Sequence, residues 1–355
     1  MRIVHVNPFF YPFRGGIEHR VHNVCRLLGK DHEVTVLTGR LPGTEREERG
    51  DGYDIRRLDS RFIGDYNPPY IISKGILADL QALEPDIVEF HYRWAPSYTK
   101  EVLRHNGPKV FTWHNSFGEG EGLVQRSGSW MNDRMFLPKL RSFQSVTCIS
   151  DYVRQELSVR GVPEERMRTI GNGVIMPERV SGEEDGHILF VGRLVATKGL
   201  DHLLRAMPST SAHLIICGKG PEMGRLKALA SKLGLQNRVE FRGYVSEEER
   251  DELLDRCQAY VMPSLYESFG IAAAEAMSHG KPVICSAVGG LPEVVRDAGV
   301  LVPPRDPAAL AEAINQLLQD KERRKELGRK AHAYAQEYSW DSVAAKTLDQ
   351  YRSLV

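Results

Sequence analysis

Two carboxylates eight residues apart, Glu267 and Glu275, stand in the stretch Pro263-Ser-Leu-Tyr-Glu267-Ser268-Phe269-Gly270-Ile271-Ala-Ala-Ala-Glu275-Ala-Met277. The apolar run 259–262 reads as a buried strand that ends at Pro263 and Ser264, after which a glycine opens an alanine-rich helix. Glu267 then lies at the carboxyl end of a strand, the edge where ligands bind in an open α/β sheet. Glu275 falls about one and a half turns into the helix. The N–H groups of Phe269, Gly270 and Ile271 are free helix-start donors, with Ser268 beside them, suited to an anionic or hydroxyl-rich ligand. Two carboxylates flanking such a turn can each grip a pair of sugar hydroxyls.

Three further segments carry chemistry. Gly192-Arg193-Leu-Val-Ala-Thr-Lys198-Gly199 follows a strand and opens a helix, so two cations meet a helix start, as a diphosphate requires. The same residues also suit a solvated basic turn. Phe13-Arg14-Gly15-Gly16-Ile-Glu follows the first strand, where Gly15 and Gly16 allow close backbone approach to a phosphate or sugar, or simply make a tight turn. Thr112-Trp113-His114-Asn115 closes another strand. A lone histidine is more often structural than catalytic, yet His114 stands at a strand's carboxyl end before a polar loop. His5, His19, His22 and His91 receive no role from their spacing.

These residues must be held by alternating strands and helices, which imply parallel sheets built from βαβ units. In the first half the expected strands are 2–7, 33–38, 87–91, 109–113 and 145–149, and the expected helices 16–29, 73–83, 98–104 and 151–160. The charged run 44–54 reads as a solvated loop. In the second half strands are expected at 187–192, 212–217, 238–242, 259–262 and 282–286. Helices are expected at 198–207, 222–232, 247–256 and 269–279, with Ser246-x-x-Glu249 a capping box. Past Pro307 a helical pattern runs to 337, broken near Gly328, and an amphipathic helix occupies 339–354. The boundary falls at Gly171-Asn-Gly-Val-Ile-Met-Pro177 and the polar stretch behind it. This gives an N-terminal domain of 1–171 plus 339–355 and a C-terminal domain of 172–338.

The Glu-x7-Glu stretch, followed by Gly280-Lys-Pro-Val-Ile and Gly289-Gly-Leu-Pro-Glu-Val, resembles the retaining glycosyltransferases of family GT4. The resemblance is strong over 191–302 and weaker over 1–170. It implies the GT-B architecture: α/β, with two doubly wound Rossmann-like domains facing across a cleft and the last helix crossing back onto the N-terminal domain. It further implies acceptor binding in the first domain and a nucleotide diphosphate sugar, with a UDP-sugar or GDP-mannose as donor, in the second. By the same resemblance Arg193 and Lys198 hold the donor diphosphate in place of a metal, Glu275 takes the ribose diol and Glu267 the sugar's 3- and 4-hydroxyls. His114 contacts the donor sugar, and the Gly15–Gly16 loop lies near it. Gly218-Lys219-Gly-Pro resembles the turn beside the nucleotide, and Arg242-Gly-Tyr-Val245 the base-binding segment. The expected reaction moves a hexose to a hydroxyl acceptor, whether glycan, lipid-linked or small molecule, without a cofactor. No Asp-x-Asp occurs to supply hard ligands for Mg²⁺ or Mn²⁺, and no metal is expected. An epimerase or hydrolase on the same scaffold, or a non-catalytic sugar-nucleotide-binding subunit, are the competing readings.

Bulk properties narrow the class. The 355 residues suffice for two domains, 41% apolar and 26% charged, as in an ordinary globular protein. Zero formal net charge gives no long-range field toward nucleic acid or an anionic membrane. The five cysteines are scattered without metal-site spacing and read as buried thiols of a reducing compartment. Neither a signal peptide nor an 18-residue apolar run is found, so a cytoplasmic location is expected, at most on the cytoplasmic face of a membrane. The stretch 119–144 interleaves Trp130, Met131, Met135, Phe136 and Leu137 with Arg126, Arg134, Lys139 and Arg141. It suits a lipid surface or lipid-linked acceptor, but the favoured reading is a helix packed on its own domain with its charges in water.

Overall fold

A computed structural model describes residues 1–64, 69–120 and 122–355, with the side chains of 122–124 left aside. The chain divides into two compact units, Met1–Asn172 with Trp340–Val355 and Gly173–Ser339.

In order, unit 1 contains β1 (Arg2–Val6), α1 (Gly16–Leu28), β2 (Glu33–Gly39), β3 (Glu47–Arg49), β4 (Asp54–Leu58), β5 (Ser60–Ile63) and β6 (Tyr70–Ser73). It continues with α2 (Ile76–Leu83), β7 (Ile87–Phe90), α3 (Pro96–Val102), β8 (Lys109–Trp113), α4 (Gly122–Phe136), β9 (Ser145–Cys148), α5 (Asp151–Ser158) and β10 (Met167–Thr169). Its main sheet runs β10-β9-β8-β7-β1-β2-β4-β3, parallel except for β3. The central strands β1, β7 and β8 are largely buried apolar runs because a parallel sheet is covered on both faces. Ile3, Val34, Val36, Ile87 and Val110 of the sheet pack with Val21, Val24 and Leu28 of α1.

Unit 2 holds β11 (His187–Val191), α6 (Leu200–Ala206), β12 (His213–Cys217), α7 (Met223–Lys232), β13 (Val239–Gly243), α8 (Glu247–Arg256) and β14 (Ala259–Met262). There follow α9 (Ile271–Ser278), β15 (Val283–Ser286), α10 (Leu291–Val295), β16 (Gly299–Val302), α11 (Pro307–Gln319) and α12 (Lys321–Ala335). Its six-stranded sheet is wholly parallel, ordered β13-β12-β11-β14-β15-β16. Ile188, Phe190, Leu214 and Ile216 pack under Leu203, Leu204, Leu310 and Ile314. Ser246 caps α8, its Oγ accepting from Glu249 N at 3.2 Å, while the Glu249 carboxylate accepts from Arg242 Nη1 at 3.3 Å in place of closing the box. The final helix, α13 (Trp340–Arg352), belongs to unit 1, where Val343, Ala344 and Tyr351 join the core beside α1.

Several local expectations are corrected. The charged run 44–54 is not only loop: Glu47–Arg49 forms β3, an exposed antiparallel edge strand on β4. Its alternation is invisible because neither face is buried. Strands β4, β5, β6, β10 and β16 lie outside the expected set, and Ser73 ends β6 instead of opening a helix. The break past Pro307 falls at Asp320, whose side chain caps α12 by accepting from Arg323 N at 2.8 Å. Gly328 lies inside α12, where a Cβ would sit 2.1 Å from the Gly280 carbonyl oxygen, so it marks helix–loop contact and not a helix end. Part of the 119–144 stretch, position 121, lies outside the described residues. Around it, Phe136 packs on Phe111 with ring centroids 4.7 Å apart, as a helix packed on its own domain requires. Trp130, Met131 and Met135, however, are exposed.

Candidate functional site

In unit 2 the chain winds outward through β11, β12 and β13, then returns to the other side of β11 with β14, β15 and β16. The β11–β14 boundary is therefore the point where strand order reverses, the crevice in which open α/β sheets bind ligands. The loop after β11 carries Arg193 and Lys198, and the loop after β14 carries Glu267. Lys198 Nζ donates to Glu267 Oε2 at 2.5 Å across that boundary, with both side chains partly exposed. Ser264 Oγ donates to the same oxygen at 3.4 Å.

Backbone contacts fix this pair. Leu265 N donates to Thr197 O at 2.8 Å, locking the two loops together. Gly199 is left-handed (φ 63°), and a Cβ there would lie 2.1 Å from the Pro263 carbonyl oxygen. Gly289 (φ 55°) would place a Cβ 1.8 Å from Glu267 O, while Gly290 N donates to that oxygen at 3.0 Å. The Gly-Gly pair thus cradles the main chain that aims the Glu267 carboxylate.

Around this pair, helix α9 begins at Ile271, two residues later than expected, with Gly270 as its left-handed N-cap. Ser268 is buried, and Phe269 packs edge-on against Tyr338 with centroids 5.3 Å apart, so its ring is a core anchor. Glu275 lies within α9, and its carboxylate is 3.7 Å from Arg250 Nη1. Burial pushes the Glu275 carboxyl above its ordinary value and Arg250 draws it back. At the neighbouring strand ends, Leu194 N donates to Lys219 O at 2.9 Å and Gly218 N to Gly243 O at 2.5 Å, tying the β11, β12 and β13 loops edge to edge. Lys219 Nζ lies 5.9 Å from the exposed Tyr244 ring, next to Val245. The unit 2 candidates therefore share one sheet edge.

In unit 1 the strand order reverses between β1 and β7. Gly15 and Gly16 follow β1 at the start of α1, and His114 follows β8. A Cβ at Gly15 would lie 2.5 Å from Glu18 Oε2, and Asn7 Nδ2 donates to Glu18 Oε1 at 3.0 Å. Glu18 is buried, which raises its pKa, although its own backbone N–H and Asn7 favour the ionised form. His114 is nearly buried, and its Nε2 lies 3.1 Å from His91 Nδ1. His91 Nε2 in turn lies 3.0 Å from His5 Nδ1, and His5 Nε2 lies 3.4 Å from the Tyr351 hydroxyl. Tyr351 and Thr112 both donate to Glu89.

Burial pushes all three imidazoles down, His91 to about 3 and His114 well below its ordinary value, so they are neutral at pH 7. Burial opposes ionisation of Glu89, but His91, His5 and the two hydroxyls outweigh it and hold the carboxyl at about 2. The buried Arg20 guanidinium, whose Nη1 donates to Gly171 O at 2.5 Å, supplies the compensating charge.

Sequence reasoning missed Glu18, Arg250, His5, His91, Glu89 and Tyr351. Gly-Gly-x-Glu at a helix start was a usable signal for Glu18. Arg250 and Tyr351 reach their partners only through tertiary packing.

Residues 14–176 match the model for Glycosyltransferase Family 4, and residues 174–334 that for Glycosyl transferases group 1. The chain is 31% identical over 362 residues to a protein of Methanocaldococcus jannaschii named uncharacterized glycosyltransferase MJ1607, covering 92% of this chain and 91% of that one. The protein therefore belongs to the family 4 (group 1) glycosyltransferases. It is also 36% identical over 183 residues to the D-inositol 3-phosphate glycosyltransferase of Streptomyces coelicolor, covering 47% of this chain and 40% of the relative. In fold it is similar to the sucrose-phosphate synthase of Thermosynechococcus elongatus (TM-score 0.82, 23% identity, 100% of this chain and 99% of the other). It is likewise similar to Anabaena Alr3699/HepE in complex with UDP and glucose (TM-score 0.78, 19% identity, 100% of both chains). The fold is that of the GT-B glycosyltransferases. Among the described residues, no helix is long and apolar enough to cross a membrane.

Proposed function

We propose that this glycosyltransferase is a retaining, metal-independent hexosyltransferase acting from a nucleotide diphosphate sugar on a hydroxyl acceptor. One observation carries the reading: the Lys198–Glu267 pair spans the strand-order reversal of unit 2, with Arg193 on the same loop. The two cations and the α9 start neutralise the diphosphate, a charge that grows as it leaves. Glu267, held by Lys198, takes the sugar's 3- and 4-hydroxyls, and Glu275, steadied by Arg250, takes the ribose diol. His114 and the Gly15–Gly16 loop meet the reacting sugar. Substitution proceeds on the front face, the departing phosphate oxygen helping to take the acceptor proton. HepE was crystallised with UDP-glucose, so UDP-sugars are the first donors to try, with GDP-mannose as the second arm.

The test is kinetic. Lys198→Ala and Glu267→Ala should each lower kcat by about 10²–10³-fold while the fold is retained, and near-normal turnover in either refutes the assignment. NMR of products formed from donor alone separates transfer from hydrolysis or epimerisation, which need no acceptor.

A further inference from the structure

The buried chain in unit 1 has a direction. Glu89 is an anion and can only accept, so the Tyr351 hydroxyl spends its single proton on it. Tyr351 Oη is then an acceptor toward His5, and His5 must carry its proton on Nε2. A neutral imidazole with Nε2–H has a bare Nδ1, so His5 Nδ1 accepts from His91 Nε2. The same step repeats once more: His91 Nδ1 accepts from His114 Nε2. The His5 and His91 rings lie 7° from coplanar with centroids 5.3 Å apart, as an in-plane N–H···N bond requires. His5 Nδ1 also lies 3.5 Å from Glu89 Oε2, so the direction of the chain rests on the Tyr351 contact to His5 Nε2, and in that direction the last link leaves His114 Nδ1 as a lone pair. Among the described residues, nothing hydrogen-bonds to that nitrogen.

We propose that Glu89, Tyr351, His5 and His91 are positioning residues that lock His114 in its Nε2–H tautomer, presenting Nδ1 as an acceptor to the bound sugar. The proposal rests on the reading of His114 as a sugar-contacting residue. The lock joins β1, β7, β8 and the closing helix α13, so the last residues of the chain set the chemistry of a loop some 240 positions earlier. As a hydrogen-bond acceptor, Nδ1 selects a sugar hydroxyl in that place and rejects a carbonyl or carboxylate oxygen.

A metal competes for the same atoms, because His5, Glu89 and His91 offer ligand atoms within 4.8 Å of one another. The satisfied hydrogen bonds of that cluster favour the lock.

The experiment is ¹⁵N NMR of the full chain labelled at histidine, with His114 assigned by difference from His114→Gln. The lock requires Nε2–H and bare Nδ1 at His5, His91 and His114. Tyr351→Phe removes the anchoring donor and acceptor together and should leave His114 a mixture of tautomers. It should also lower kcat by about tenfold with the donor KM changed by less than about twofold. A wild-type His114 protonated on Nδ1 overturns the proposal, as does an unchanged single tautomer in Tyr351→Phe. Zn²⁺ that shifts the His5 and His91 signals together replaces the lock with a metal centre. If Tyr351→Phe does not fold, the wild-type tautomers alone decide. Full activity in His114→Ala, with the tautomers as stated, overturns the catalytic reading and leaves the lock standing.

Discussion

Lowering the pH from 7 to 5 should destabilise unit 1 through its buried histidines. His91 starts at 6.5 in the unfolded chain and is held at about 3 when folded. The unfolded state therefore binds the proton that the folded state refuses, and stability falls as pH drops through 6.5. The penalty is RT ln(1 + 10^(6.5 − pH)), about 0.2 kcal/mol at pH 7 and about 2 kcal/mol at pH 5, for His91 alone. His5 and His114 act with the same sign, as do the partly exposed His22, His32 and His105. Glu89 runs the other way: its pKa falls from 4.5 to about 2, so its contribution is intact above 4.5 and is lost only below it. Burial raises the carboxyls of Glu18 and Glu156, which offset part of this loss as pH falls, and the histidines set its sign between pH 6.5 and 5. The assay is direct, because all four tryptophans, Trp94, Trp113, Trp130 and Trp340, lie in unit 1. Urea unfolding followed by tryptophan fluorescence at pH 7 and pH 5 should show a loss of at least about 2 kcal/mol. A loss below about 1 kcal/mol would mean that the histidines titrate normally in the fold, and the neutral-chain argument would fail.

Three other outcomes follow from the site. Gly289→Ala adds a Cβ 1.8 Å from Glu267 O at a left-handed φ, so thermal unfolding of unit 2 should show a loss of about 2 kcal/mol or more, accompanied by a fall in transfer. Arg250→Ala leaves the half-buried Glu275 without its cation and should raise the donor KM about tenfold, roughly 1.4 kcal/mol, with a smaller change in kcat, checked by steady-state kinetics. EDTA should leave the transfer rate unchanged, and restoration by Mg²⁺ or Mn²⁺ after chelation would count against diphosphate binding by Arg193 and Lys198.

Much of the scaffold was legible because buried parallel strands announce themselves as apolar runs. Every strand expected in unit 2 is present, and the five in unit 1 likewise. Three of the strands that escaped share a cause. The edge strand Glu47–Arg49 is exposed on both faces, β10 is only three residues long, and β16 is short and half-covered, so none carries a periodic signal. The break at Asp320 was masked by good helix formers on both sides, and it is the capping geometry that places it there.

The sequence alone determined which residues stand at strand ends: Glu267 after one apolar run, Arg193 and Lys198 after another, His114 after a third. Strand ends are local, and local chain chemistry writes them. Only the tertiary structure decided that β11 lies beside β14, bringing Lys198 onto Glu267 across 69 positions, and that α13 returns to unit 1 so that Tyr351 meets Glu89 across 262. The physical reason is sheet order: hydrogen bonding between strands is set by how all the apolar faces are covered at once, and no short window of sequence contains that sum.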